Sequence, residues 1–161
     1  MSEQKIEDFI GKVLIGDAKK NALDFVAYLR VNGMLFERGV GYWEDKFYWF
    51  IKYKDKSVCY ILIGSPEEEL SPWTVWSDDS DSIWFETLSL EEHIKEIAWK
   101  YVDFCGSCGG DCSPGKHKTI FGKEFDNVCR ATMRFTNPDN EALECMKKIV
   151  EIRKLDILKN I

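Results

Sequence analysis

Residues 46–63 read KFYWFIKYKDKSVCYILI, two apolar runs joined by Lys54-Asp55-Lys56. In the first run Phe47, Trp49, Ile51 and Tyr53 alternate with Tyr48, Phe50 and Lys52. A period of two sends successive side chains to opposite faces of a strand, so both faces here carry large apolar groups. Residues 57–63 repeat the two-sided pattern. A strand of this kind is central in its sheet and covered on both sides. The short polar connector makes the two runs a hairpin.

The flanking sequence supplies further strands. Residues 34–38 precede the turn Gly39-Val40-Gly41, and residues 72–76 and 82–86 flank the acidic turn Ser77-Asp78-Asp79-Ser80-Asp81. Short connections between successive strands favour an antiparallel meander, here of about five strands. Helical spacing brackets it. Ile6, Phe9, Ile10, Val13 and Leu14 fall on one helix face, and Gly16 ends that pattern. Asp17 is placed to cap a second helix through Ala22, Phe25, Val26 and Leu29, with Gly33 as its left-handed stop. After the sheet, Ser89-Leu90-Glu91-Glu92 reads as a capping box ahead of Leu90, Ile94, Ile97, Ala98, Tyr101 and Val102. Phe121, Phe125, Val128 and Cys129 suit a short helix, and Asn137-Pro138 opens a last one lined by Leu143, Met146, Ile149, Val150 and Ile157. The fold expected is a single α+β domain over residues 1–161: a helical hairpin at 1–33, an antiparallel meander sheet at 34–87, and helices at 88–161 with a Cys-rich loop at 103–118. Two N-terminal and three C-terminal helices flank that sheet.

At 161 residues the chain is long enough to bury a core without staples. Its net charge of −6 argues against nucleic acid as a partner, because phosphate binding rests on clustered Lys and Arg. Glu3, Glu7 and Asp8 interrupt the first residues, which do not form a signal-peptide core. The apolar runs fall well short of the ~20 residues a membrane span needs. A cytoplasmic protein, monomeric or homodimeric, is expected.

Residues 103–118, DFCGSCGGDCSPGKHK, hold three of the six cysteines. Cys105, Cys108 and Cys112 have the spacing C-x2-C-x3-C, and the glycines between them permit the tight turn of a metal knuckle. Zinc needs a fourth ligand, with Cys129 the first choice and His117 the second. An iron–sulfur cluster on the same residues is the second metal reading. A reactive dithiol is disfavoured, because the pair follows a helix C-terminus, whose dipole opposes thiolate. A disulfide, or free thiols with no ligand, are the remaining readings. Cys59 and Cys145 lie in apolar patterns and are expected to act as small hydrophobes.

Five of the six tryptophans (Trp43, Trp49, Trp73, Trp76, Trp84) fall in the strand region. Most are expected to fill the core. If the helices pack on one sheet face only, the other leaves an aromatic surface for a small apolar or aromatic molecule, with Trp49, Trp73, Trp76, Trp84, Tyr60 and Glu86 as candidate ligand-binding residues. Catalytic patterns are thin. There are two histidines, His93 and His117, and no nucleophile-elbow, phosphate-loop or zinc-protease motif. Glu37, Glu44 and Glu86 are the carboxylates an enzyme would use. The functional expectation is a binding domain with an aromatic sheet face and a structural zinc site. Its rivals are a small carboxylate enzyme and a homodimeric interaction module without metal.

Overall fold

The computed structural model describes residues 5–38, 47–63, 73–77, 91–104 and 116–159. Two helices open the chain: α1, Ile6–Val13, and α2, Gly16–Val31. The α2 terminus explains the role of Gly33. Its φ of 81° lets the Met34 N–H reach the Leu29 carbonyl (3.1 Å) and its own N–H reach the Arg30 carbonyl (3.1 Å), a Schellman closure. The start of α2 differs from expectation: Ile15 occupies the cap and no side chain, Asp17 included, caps it.

Four strands follow, β1 (Leu35–Arg38), β2 (Phe47–Tyr53), β3 (Lys56–Ile63) and β4 (Trp73–Ser77). The β2–β3 connection is a two-residue turn. Lys54 and Asp55 both adopt positive φ (49° and 66°), the type I′ geometry whose twist matches a hairpin. Next come α3 (Glu92–Lys100), β5 (Val102–Phe104), β6 (Lys116–Ile120), β7 (Lys123–Thr136) and α4 (Asn140–Lys159).

The α+β class and the antiparallel sheet agree with expectation. Strands β1, β2, β3, β4 and β7 pair in that order, every pair antiparallel, and β7 continues into a smaller ladder with β5 and β6. Two features differ. The fifth strand is the distal half of β7, paired with β4, while residues 82–86, expected to fill that role, lie outside the described residues. The expected short helix over Phe121, Phe125, Val128 and Cys129 is the β6–β7 hairpin, so two helices follow the sheet among the described residues rather than three. Strands thus extend beyond residues 34–87, and both ends of the stretch 103–118 are strand.

Helix boundaries shift for identifiable reasons. Glu91, not Ser89, holds the cap position of α3, while Ser89 and Leu90 lie outside the described residues. The helix buries Ile94, Ile97 and Ala98, as its spacing requires. Tyr101 ends it, and Val102 already belongs to β5. For α4 the cap is Asp139, whose Oδ1 accepts the Ala142 N–H at 2.8 Å, two residues later than the Asn137-Pro138 start.

All four helices contribute to one core. Ile10, Phe25, Leu29, Ile94, Met146 and Ile149 meet Trp49, Ile51, Ile61, Ile63, Trp73, Val75 and Phe135 there. Burying each such side chain contributes roughly 1.5–3 kcal/mol relative to exposure. One polar group is built into this interface. Arg153 of α4 is buried beside Asp156, with Nη1 and Oδ2 at 2.6 Å, and its Nε donates to the Ser57 carbonyl at 2.9 Å. The β2–β3 register explains that carbonyl: Ile51 pairs Cys59 and Lys52 pairs Ser57, which leaves Val58 as an extra residue. A bulge frees backbone from the ladder, and a buried guanidinium needs such partners.

Candidate functional site

Paired residues in an antiparallel sheet point to the same face, so the register assigns each side chain a side. Trp49 pairs Ile61, and Ile61 pairs Val75; all three belong to the helix-covered core. The other parity gives a single row across five strands: Glu37–Phe50–Tyr60–Trp76–Arg134. Four strand spacings of about 4.8 Å make it about 19 Å long. A carboxylate stands at one end, a guanidinium at the other, and three aromatic rings between them.

The row has its own packing. Phe50 stands edge-on to Tyr60 (centroids 5.3 Å, 82°) and to Tyr48 (5.5 Å, 87°). Edge-to-face contacts of this kind add about 0.5–1.5 kcal/mol beyond burial and fix the rings' orientation. The Ser57 hydroxyl donates to Tyr60 Oη at 3.1 Å. Lys52 Nζ lies 2.8 Å from Glu37 Oε2. Tyr48 and Leu62 are buried, at 4% and 6% exposure, yet neither belongs to the helix-side core. Phe50, Tyr60 and Trp76 are each half-buried. The second face therefore carries an aromatic row of its own.

The candidate residues divide between the faces. Tyr60 and Trp76 belong to the row. Trp49 and Trp73 sit on the helix side, at 3% and 1% exposure, with Trp49 against Phe9 (5.4 Å) and Trp73 against Phe25 (6.3 Å). They are core rings of the helix-covered face, not members of the row. Trp84 and Glu86 lie outside the described residues, as do Trp43 and Glu44. Tyr48, Phe50 and Leu62 were missed, though parity with Tyr60 carries the signal: Phe50 is Tyr60's cross-strand partner.

Cys105, Cys108 and Cys112 lie outside the described residues. Among the described residues no group of three or more His, Cys, Asp or Glu is placed to hold a metal ion. Cys129 lies on strand β7, not on a helix. Its position is informative. Phe104, just before the segment 105–115, pairs Val128, and Lys116, just after it, pairs Val128 as well. Both ends of the segment thus meet β7 one residue from Cys129. There β7 is irregular: residues 129–132 face the single residue Asp103 across the β5 ladder, and buried Thr132 takes a φ of 70°.

His117, the second-choice ligand, is exposed and held by β7 carboxylates. Its Nδ1 lies 2.6 Å from Asp126 Oδ1, and its Nε2 lies 3.4 Å from Glu124 Oε1. The hydrogen bond to Asp126, with help from Glu124, raises its pKa above the ordinary histidine value. The dipole argument against a reactive dithiol also changes. The strand β5 separates the α3 terminus from Cys105, and a helix dipole fades within its last turn. Cys59 and Cys145 are buried thiols outside any disulfide, and desolvation pushes the Cys145 thiol up to about 12. No helix of the described residues is long and apolar enough to cross a membrane. No protein-family model matches the chain at a significant level, and neither does any curated protein or solved structure.

Proposed function

We propose that this chain is a cytoplasmic binding domain that receives a small planar or apolar molecule on the sheet face that bears the aromatic row, opposite the helix-side core. The row Phe50–Tyr60–Trp76 carries the reading. Its rings are half-buried, and Phe50 and Tyr60 hold each other edge-on, so an aromatic ligand gains stacking area on rings already ordered. Indole, titrated into the labelled protein and followed by amide shifts, is the probe. Saturable shifts at Phe50, Tyr60 and Trp76, lost in Trp76→Ala, are expected. Concentration-dependent sedimentation, with those amides shifting on dilution instead, would assign the face to a second copy of the chain.

A structural zinc ion on Cys105, Cys108, Cys112 and Cys129 completes the proposal. The pairing of both segment ends with Val128 supports it, because it brings the knuckle sequence to the strand that carries the fourth thiol. Cys59 and Cys145, which form no disulfide, suit a reducing compartment. Elemental analysis of protein purified without chelator is expected to find about one zinc per chain.

A further inference from the structure

Strand β1 ends the main sheet, and among the described residues Leu35, Phe36 and Glu37 pair with β2 alone. Alternate residues of an edge strand turn their N–H and C=O groups outward, a template for one more strand. Leu35 stands on this edge as an apolar side chain at 64% exposure. A cavity of about 570 Å³ opens beside the same residues, at the start of α1 and the last turn of α2. Ile6, Leu35, Phe36 and Trp49 give it an apolar wall.

The charged groups around that wall are engaged within the protein. The Glu7 carboxylate forks onto Arg30 Nε (2.5 Å) and Nη2 (2.8 Å), and Arg30 Cζ lies 4.4 Å from the Phe36 ring centroid. Lys52 Nζ lies 2.8 Å from Glu37 Oε2, and Arg38 Cζ lies 5.0 Å from the Phe9 and from the Trp49 centroid. Lys5 and Asp55, which also line the cavity, are of opposite sign. What such a wall offers an incoming group is ring faces and side-chain stems, which suit an uncharged apolar side chain.

We propose that β1 is a docking edge for an extended peptide segment of a partner protein, which adds to the sheet as a further strand and seats a bulky uncharged side chain against Phe36. Main-chain hydrogen bonds along the edge hold the segment, and the cavity beside it selects one of its alternating side chains. The size of the site favours a short peptide over a second copy of the chain. Among the described residues the cavity wall, β1 included, comes to ten residues, against the roughly 20–30 a side of a stable protein–protein interface.

The full chain, isotope-labelled, is titrated with the neutral peptide acetyl-Ser-Thr-Phe-Thr-Ser-amide. Saturable shifts at the Leu35, Phe36 and Glu37 amides are expected, with slower hydrogen exchange in β1 and a Kd below about 1 mM. Alanine in place of the peptide's phenylalanine is expected to weaken binding at least about tenfold, the worth of one buried aromatic side chain. Two further peptides carry backbone N-methyl groups, one on its first, third and fifth residues and the other on its second and fourth. Only one of these sets faces β1, so one peptide is expected to lose binding and the other to keep most of it. Phe36→Ala is expected to bring the phenylalanine peptide down to the affinity of the alanine one, with unchanged Tyr60 and Trp76 amides as the sign that the variant folds. Should it not fold, the peptide series decides alone. Equal loss in both N-methylated peptides, equal affinity of the alanine peptide, or absence of shifts in β1 overturns the proposal. Shifts confined to Phe50, Tyr60 and Trp76 overturn it too, while leaving the aromatic row intact as a site. A concentration-dependent dimer whose formation protects the β1 amides overturns it in favour of a second copy of the chain.

Discussion

His117 ties the two strands of the β6–β7 hairpin together through charge. Its imidazole faces Asp126 at 2.6 Å and Glu124 at 3.4 Å, so its protonated form is the favoured one. A histidine whose folded pKa is raised contributes stability that is complete below its unfolded value, about 6.5. That contribution is lost as pH rises through the higher folded value. An NMR titration is expected to show His117 titrating above the ordinary histidine value of about 6.5, and Asp126→Asn to bring it down; an unchanged curve in that variant would refute the pairing. Residue identity alone could not sort the aromatics in the same way. Trp49 and Tyr60 sit in equally apolar strands, and only the register shows Trp49 beside Ile61 in the core and Tyr60 beside Trp76 on the other face. Parity was readable within each strand. Which parity the helices cover depends on contacts distant in sequence.

Among the elements, the long helices were legible because a 3.6-residue apolar period leaves few alternatives, as α4 shows with Leu143, Met146, Ile149, Val150 and Ile157 all buried. The β6–β7 hairpin was not. Phe121, Phe125 and Val128 fit helical spacing, but Phe121 and Val128 are buried from a turn and a strand. The overlooked signal is Gly122. Phe121 and Gly122 take φ of 47° and 90°, a type I′ turn that a glycine at its second position makes easy. A Cβ added at Gly122 would meet nothing within 4 Å, so substitution there tests backbone conformation alone. Gly122→Ala is expected to cost roughly 1–2 kcal/mol in urea unfolding, and Gly122→Asn less, because asparagine tolerates the left-handed region. Equal stability of all three proteins would be incompatible with this turn.

At the scale of the molecule the described residues form a main sheet under four helices, with a smaller ladder of β5 and β6 carried on β7. The two parts differ in how they are held. β2 and β3 lie inside the main sheet, each paired on both edges. Among the described residues β5 and β6 each pair with β7 alone, and they are joined through the segment 105–115. The three clustered cysteines announced a special segment in the sequence, yet its anchoring strand was read as a helix, because that strand's partners lie on both sides of the loop. The proposed zinc would close this ladder, since ligand binding energy is also folding energy. Cys108→Ser is therefore expected to lower metal affinity at least about tenfold, the loss typical of even an indirect ligand contact. Chelation is expected to speed hydrogen exchange in β5, β6 and the proximal half of β7 ahead of β2 and β3. Cys59→Ser separates metal loss from general destabilisation: buried in the main core, it should reduce stability while leaving zinc content unchanged. Should exhaustive chelation leave exchange and unfolding midpoint untouched, the thiols of residues 105–112 hold no structural ion, and the hairpin stands on its turn and its apolar inner face alone.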